Sequence, residues 1–468
     1  MMRYKILTAF LLLTVMLGCS MIPAYQRPDS PVAVTWPEQT PDPDTQVGFA
    51  AEIAWKDYIQ SEVLHDLIER VLENNRDLRI AALNIEQAQA TYRIQRTALL
   101  PTIAANGKAA RTGVPDDVSS TGRGYTATSL NANVALAAYE LDFFGRVSSL
   151  NQAALEAYLA TEEAWVSARI SLIAETANAY LSLLADQKLL QLSKDNHSSQ
   201  VETYQVVKLQ FDVGSVTRLD VAQAATAVEN ARVAIARYSR RVAQDRNALI
   251  YLAGDDIGDL LSQEETIDTV QMIENLPAGL PSALLLQRPD IRQAEHVLKS
   301  ANADIGAARA ALYPSISLTG AFGLASDSLD GLVKSGAMYA WNFSPSLTVP
   351  IFNRGKLKAS LEVAEVNEKI AATQYEQAIQ TAFREVADQL AARRTYQFQL
   401  DAQDALVSTT NEAYELSKTR YDNGVDNFLI VLDSQRSLFA AQQEAISVKQ
   451  AYLANLVSLY KVLGGGQL

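Results

Sequence analysis

A long-period internal duplication constrains this chain more than any other feature. Asp77, in Asn75-Arg76-Asp77-Leu78-Arg79, recurs as Asp290 in Arg288-Pro289-Asp290-Ile291-Arg292. Pro101, in Leu99-Leu100-Pro101-Thr102-Ile103, recurs as Pro314 in Leu312-Tyr313-Pro314-Ser315-Ile316. Both pairs are 213 residues apart. Phe211-Asp212-Val213-Gly214 recurs as Tyr421-Asp422-Asn423-Gly424, and Leu252-Ala253-Gly254 as Val462-Leu463-Gly464, both 210 residues later. A fixed long period means one supersecondary unit used twice. The length alone would allow about three ordinary domains, but the duplication predicts one architecture written twice.

Each copy carries two segments of period two. In Ser129 to Ala138, Leu130, Ala132, Val134, Leu136 and Ala138 share one face, with Ser129, Asn131 and Asn133 opposite. In Ser315 to Leu324, Ile316, Leu318, Phe322 and Leu324 oppose Ser315, Ser317 and Thr319. In Asn342 to Ile351, Phe343, Leu347, Val349 and Ile351 oppose Asn342, Ser344, Ser346 and Thr348, while Thr102 to Thr112 alternates more weakly. Period two places one set on each side of a sheet. About ten such residues match a tilted membrane β-strand, or equally a soluble sheet with one wet face.

A helix is expected from about Glu62 to Leu99, stopped by Pro101. Beyond the second strand, Val147 to Asp212 contains neither proline nor glycine, enough for roughly 100 Å of helix at 1.5 Å per residue. Gly214 interrupts it, and helix resumes to about Leu252. In the second copy Leu432, Phe439, Ile446, Leu453 and Tyr460 recur every seven residues, the signature of supercoiled, packed helices.

The N-terminus reads as a leader. Arg3 and Lys5 precede an apolar run, Ile6 to Leu17, too short to span a bilayer. The run ends at Met16-Leu17-Gly18-Cys19, which resembles a lipobox. Lipidation is expected at Cys19, the chain's one cysteine, with Ser20 after it suggesting the outer membrane by resemblance to sorted lipoproteins. The expected organisation is a signal peptide over 1–18, a lipidated extended arm over 19–61 and a first repeat over 62–254. An acidic connector (255–284), a second repeat (285–464) and a short tail (465–468) follow. The net charge of −13 falls by two more when Arg3 and Lys5 leave with the leader, and an acidic chain lacks the basic footprint of nucleic-acid binding.

Four membrane strands cannot close a barrel, since open edges in lipid leave backbone groups unpaired at several kcal/mol each. The chain therefore needs copies of itself. A dimer gives eight strands and a filled interior, and a trimer gives twelve and a passage. The long helices carry charge on both faces and must project from the bilayer.

The chain resembles the TolC-like outer-membrane efflux proteins, in particular the lipidated OprM-like branch, over essentially its whole mature length. The matching runs are Cys19-Ser20-Met21-Ile22-Pro23, Tyr139-Glu140-Leu141-Asp142-Phe143-Phe144-Gly145-Arg146, Leu286-Gln287-Arg288-Pro289-Asp290-Ile291 and Arg420-Tyr421-Asp422-Asn423-Gly424-Val425-Asp426-Asn427. The resemblance implies a mixed α/β membrane protein, with four transmembrane β-strands per chain contributing to a trimeric 12-stranded β-barrel on a periplasmic helical barrel. It also implies the role of an exit duct that meets a periplasmic membrane-fusion adaptor and an inner-membrane RND-type transporter. At the matching positions the family narrows the periplasmic end, so a gate is expected at Leu429, Asp433 and Arg436. These residues share one helix face by their spacing. From spacing alone the same face is equally a solvated one carrying an Asp-to-Arg pair. The repeat counterparts are Leu219, Gln223 and Thr226, so only the second copy carries the charged pair. Asp220 belongs to the first copy alone. Gly214 and Gly424 are expected at hairpin tips, where glycine reaches left-handed conformations cheaply, and the resemblance makes these tips adaptor-docking candidates.

No enzyme constellation is visible. His65, His197 and His296 stand apart in sequence, and no phosphate loop, Gly-x-Ser-x-Gly or zinc spacing occurs, so neither catalysis nor a cofactor is expected. Two alternatives share parts of the pattern. A type I secretion duct for polypeptides has the same fold and differs in its inner-membrane partner. A structural coiled-coil lipoprotein would explain Cys19 and the heptads but not the four alternating segments.

Overall fold

The computed structural model describes residues 20–33, 35–36, 52–262, 264–274, 276, 287–333 and 338–466. The leader and Cys19 lie outside the described residues. The chain divides into two units: 1–29, 84–162 and 293–376, and 30–83, 163–292 and 377–468.

The first unit holds a four-stranded antiparallel sheet of strands β1 (Thr102–Val114), β2 (Tyr125–Leu141), β3 (Ser315–Ser326) and β4 (Met338–Thr348), in the order β1-β2-β3-β4. Two hairpins, one from each repeat, therefore meet along β2 and β3. The register fixes the faces. Ala105 faces Val134, Val134 faces Phe322, and Phe322 faces Trp341, so apolar residues align across all four strands. The opposite face carries Asn106, Asn133, Ser317, Ser344 and Ser346. The apolar face is exposed, with Trp341 75% accessible and Phe322 stacked on Tyr339 at 5.9 Å. Large apolar side chains left bare in this way belong in hydrocarbon, not water.

Two expectations about the strands are corrected. The face expected to run on to Ala138 breaks, because the β2–β3 register shifts between Leu136 and Tyr139 and Ala138 adopts a φ of 25°. A bulge inserts one residue and re-aims the strand, so Tyr139 and Leu141 continue the apolar face opposite Leu318 and Ile316. The fourth strand ends at Thr348, before the expected Val349 and Ile351. Pro350 lies just beyond, and it has no N–H to continue a ladder.

In the same unit the N-terminal segment lies against helix, not solvent. Arg27 forks onto Glu295 at 2.8 and 2.7 Å, Tyr25 donates to Glu295 at 3.2 Å, and Asn302 donates to the Pro23 carbonyl at 3.0 Å. Burial pushes the Glu295 carboxyl up, and hydrogen bonds from Arg27 and Lys299 more than reverse it, leaving it below its ordinary range. Gly306 permits the approach, because a Cβ there would stand 2.6 Å from Ile22 Cγ1.

The second unit contains the main core. Its helices include α1 (Trp55–Tyr58) and α2 (Glu62–Asn74), followed by portions of α3 (Arg76–Thr97), α4 (Arg146–Asp212) and α5 (Arg218–Ala253). The other helices are α6 (Pro289–Ala310), which lies mostly in the first unit, α7 (Leu329–Val333), wholly in the first unit, α8 (Arg354–Asp422), divided between the two, and α9 (Phe428–Val462), in the second. The single helix expected over 62–99 is two, since Asn75 takes an extended ψ of 129° between α2 and α3. Leu64, Leu67, Ile68 and Val71 of α2 are buried among Leu181, Leu249, Leu456 and Leu459. Trp55, Tyr58 and Ile59, expected in an extended arm, sit in the same core, where Tyr58 stacks on Tyr460 at 4.2 Å.

The duplication is visible in one conserved job of this unit. Asn75 Nδ2 donates to the Leu252 carbonyl at 2.9 Å, and Arg288 Nη1 donates to the Val462 carbonyl at 2.9 Å. Each ties the start of a repeat to the last turn of its final helix, just before a glycine of positive φ, Gly254 at 63° and Gly464 at 79°. Arg288 is buried and also bridges Asp290 and Glu385, at 2.7 and 2.8 Å, which satisfies a guanidinium that burial alone would penalise.

Candidate functional site: the helical hairpins

Two hairpins of the second unit hold every gate and tip residue expected from the sequence. One joins α4 to α5, the other α8 to α9. Both turn by the same bonds. Gly214 N donates to Phe211 O at 2.9 Å and Ser215 N to Gln210 O at 2.8 Å; Gly424 N donates to Tyr421 O at 2.8 Å and Val425 N to Arg420 O at 2.9 Å. This pair of closures is the Schellman ending of a helix, which needs a left-handed residue. Gly214 and Gly424 supply it, with φ of 80° and 73°.

Each second helix is then capped differently. Thr217 accepts from Asp220 N, and the Asp220 side chain accepts from Thr217 N at 2.8 Å, a reciprocal capping box. That gives Asp220 a local structural task, and the Thr217 hydroxyl and N–H hold its carboxyl below the usual range. In the second hairpin Asn427 accepts from Ile430 N at 3.3 Å, and Arg420 forks onto Asp426 at 2.6 and 3.0 Å. The hydrogen bond from Arg420 draws Asp426 downward.

The hairpins share a small apolar cluster of Val207, Val221, Ala224, Ala227, Phe428 and Leu432, with Tyr204, Phe211, Val216 and Tyr421 packed against it. Tyr421 donates to Gln210 Oε1 at 2.6 Å, linking the two tips, and Gln435 donates to Ser199 Oγ at 3.1 Å. These cross-links were not singled out from the sequence. The Thr217-x-x-Asp220 spacing was a readable signal, whereas the Tyr421 and Gln210 partnership needs the fold.

The cluster divides α9 into two faces. Phe428, Val431, Leu432 and Gln435 are buried, while Leu429, Asp433 and Arg436 are exposed, Leu429 to 49%. The structure thus places the three expected gate residues together on an uncovered face. It does not form the Asp-to-Arg pair that the spacing allowed: neither Asp433 nor Arg436 is in an ion pair among the described residues. The counterparts Leu219 and Thr226 are likewise exposed, with Gln223 partly so. No metal-holding cluster and no helix apolar enough to cross a membrane occur among the described residues.

The model of one family, described as outer membrane efflux protein, matches residues 67–255 and 280–465, which takes in both repeats. The chain belongs to the outer membrane efflux protein family. The antibiotic efflux pump outer membrane protein ArpC of Pseudomonas putida is 47% identical over 451 residues, covering 96% of this chain and 93% of that protein. The solvent efflux pump outer membrane protein SrpC of Pseudomonas putida is 46% identical over 468 residues, covering 99% of each. Among solved structures, the open state of the MtrE outer membrane channel of Neisseria gonorrhoeae superposes with a TM-score of 0.86 at 40% identity, covering 96% of this chain and 99% of that one. As an efflux protein of the Gram-negative outer membrane, the chain has a ready use for each half of its architecture: a sheet to meet lipid and helices to meet water.

Proposed function

We propose that three copies of this chain form one exit duct, through which a tripartite pump passes small organic molecules across the periplasm and outer membrane. The carrying observation is the sheet: β1 and β4 are both edges, so every chain offers two unpaired ladders and closure in lipid requires further copies. Twelve strands leave a passage where eight would be filled. The duct works with a periplasmic adaptor, received at the Gly214 and Gly424 tips, and an inner-membrane RND-type transporter. Antibiotics and organic solvents, which ArpC and SrpC are named for, are the cargo class. No step needs a catalytic residue or cofactor.

Leu429, Asp433 and Arg436 form the periplasmic gate. Their exposure on one chain supports this, because a face left bare by its own fold is available to face a shared axis. Three leucines around that axis resist wetting, and three carboxylates attract cations. Cys19 carries a lipid that supplements the barrel as an anchor; acyl anchoring alone is weak.

Light scattering of the full chain in detergent tests the assembly. About three protomers per particle are expected from twelve-strand closure. A stable monomer or dimer, or wild-type particles that open no channels in planar bilayers, would end the duct reading.

A further inference from the structure

The sheet carries three charged residues in its described strands: Lys108 and Arg111 on β1 and Glu140 on β2. Glu140 is neutralised by Arg146 at 2.8 Å. Lys108 and Arg111 have no ion-pair partner among the described residues. Three residues apart on one strand, they point to opposite faces. Arg111 shares the apolar face with Ile103 and Ala105. Lys108 shares the polar face with Asn106 and stands opposite Asn131 in the register, in a row that continues through Ala325 to Met338. It is six residues from either end of the strand. Around it the polar face presents chiefly amides, hydroxyls and small side chains, Asn106, Ser129 and Asn133 among them, with Met338 in its own row, Tyr125 toward one end and the Arg146-paired Glu140 toward the other.

We infer that Lys108 forms a cationic ring inside the barrel and biases passage there toward anionic solutes, carboxylates and phosphates included. The inference rests on the three-copy duct proposed above. Twelve strands spaced by about 4.8 Å and tilted by about 40° enclose a cylinder about 24 Å across. A lysine's four-carbon stem reaches roughly 6 Å inward, which brings each ammonium to within about 6 Å of the axis. That is inside the screening length of about 8 Å at physiological salt, so three such charges act on the whole cross-section. In water-like dielectric they enrich a monovalent anion on the axis on the order of fivefold and deplete a cation equally. With Glu140 matched by Arg146, an unpaired lysine at mid-strand satisfies no ion pair among the described residues; its ammonium does act on whatever passes.

The test is ion permeability of the purified full chain in planar bilayers under a potassium chloride gradient, in wild type and in an Asp433→Ala, Arg436→Gln background so that the helical constriction contributes no charge of its own. Lys108→Gln should raise the cation-to-anion permeability ratio at least about twofold, and Lys108→Glu further, with a larger shift at low salt as screening weakens. Lys108→Arg should keep the wild-type ratio. Added inorganic tripolyphosphate should block wild type and not Lys108→Gln. Arg111→Gln, same strand and charge but opposite face, should change nothing. An unchanged ratio in both Lys108→Gln and Lys108→Glu would overturn the ring while leaving the duct intact. So would a shift at Arg111→Gln as large as at Lys108→Gln. Wild-type protein that opens no channels would overturn the duct reading and the ring with it.

Discussion

Leu429 and Leu432 lie three residues apart on α9, yet one is half exposed and the other 1% exposed. The buried leucine packs in the cluster the hairpins share, and the bare one is free for the proposed gate. Leu429→Ala should raise single-channel conductance and admit large antibiotics such as vancomycin to intact cells. Asp433→Ala should weaken cation preference, and changes at the uncharged counterpart Gln223 should do less. Wild-type conductance and selectivity in both gate variants would return Asp433 to an ordinary solvated face. A second carboxylate is set apart by its surroundings. Burial, then the neighbouring Asp186 carboxylate, push Asp245 up to about 6, against a smaller opposing pull from Arg241. A raised folded-state value means the folded chain holds more protons than the unfolded one between about pH 4 and 6, so this group's contribution to stability falls as pH rises through that window. Asp245→Asn should therefore raise the melting temperature in detergent at neutral pH, with the gain shrinking to nothing near pH 4. A gain independent of pH would assign the effect to something other than charge.

At the scale of elements, the meeting of the two repeats depends on a close approach. Gly323 lies where a Cβ would come within 2.2 Å of the Ala132 carbonyl oxygen, whereas Gly107 has nothing within 4 Å. Gly323→Val should break the β2–β3 pairing and abolish assembly on native gels; Gly107→Ala should assemble normally. Equal assembly of both would mean the hairpins are not joined in this register. On the helical side, Asn427→Ala removes the cap of α9 and should cost about 1 kcal/mol, read as earlier unfolding of that hairpin by hydrogen exchange. The sequence was most legible where a pattern is long and local. The glycines of both turns, the strand alternation and the proline-free helices all appeared in it, because periodicity and left-handed turns are local constraints. The break at Asn75, the bulge at Ala138 and the burial of Trp55 and Tyr58 did not. Each depends on a distant partner: the Leu252 carbonyl for Asn75, β3 for Ala138, and Tyr460 for Tyr58. For the proposed gate, the spacing of four and three puts Leu429, Asp433 and Arg436 on one face, but only the packing of Phe428 and Leu432 shows that this face is bare.

For the whole molecule, the two edges of the sheet have a consequence in genetics. The proposed barrel of three copies would close only if each β1 found a neighbour's β4, so a protomer with one ruined edge could still join at the other and leave the ring open. Such an allele should be dominant over the wild type. With both made in equal amounts and mixed at random, about one-eighth of assemblies would contain only intact copies. A Pro substitution at Ala105, in the edge strand β1, is suitable because it removes a ladder donor. Co-expressed with wild type, it should reduce solvent and antibiotic resistance far below half, whereas a variant truncated before β1 should leave resistance proportional to the wild-type dose. Simple proportionality in both cases would mean that protomers are sorted before they pair. With wild type alone every protomer is intact, so the number of ducts follows the amount of protein in proportion, and the steep loss belongs to mixed rings only.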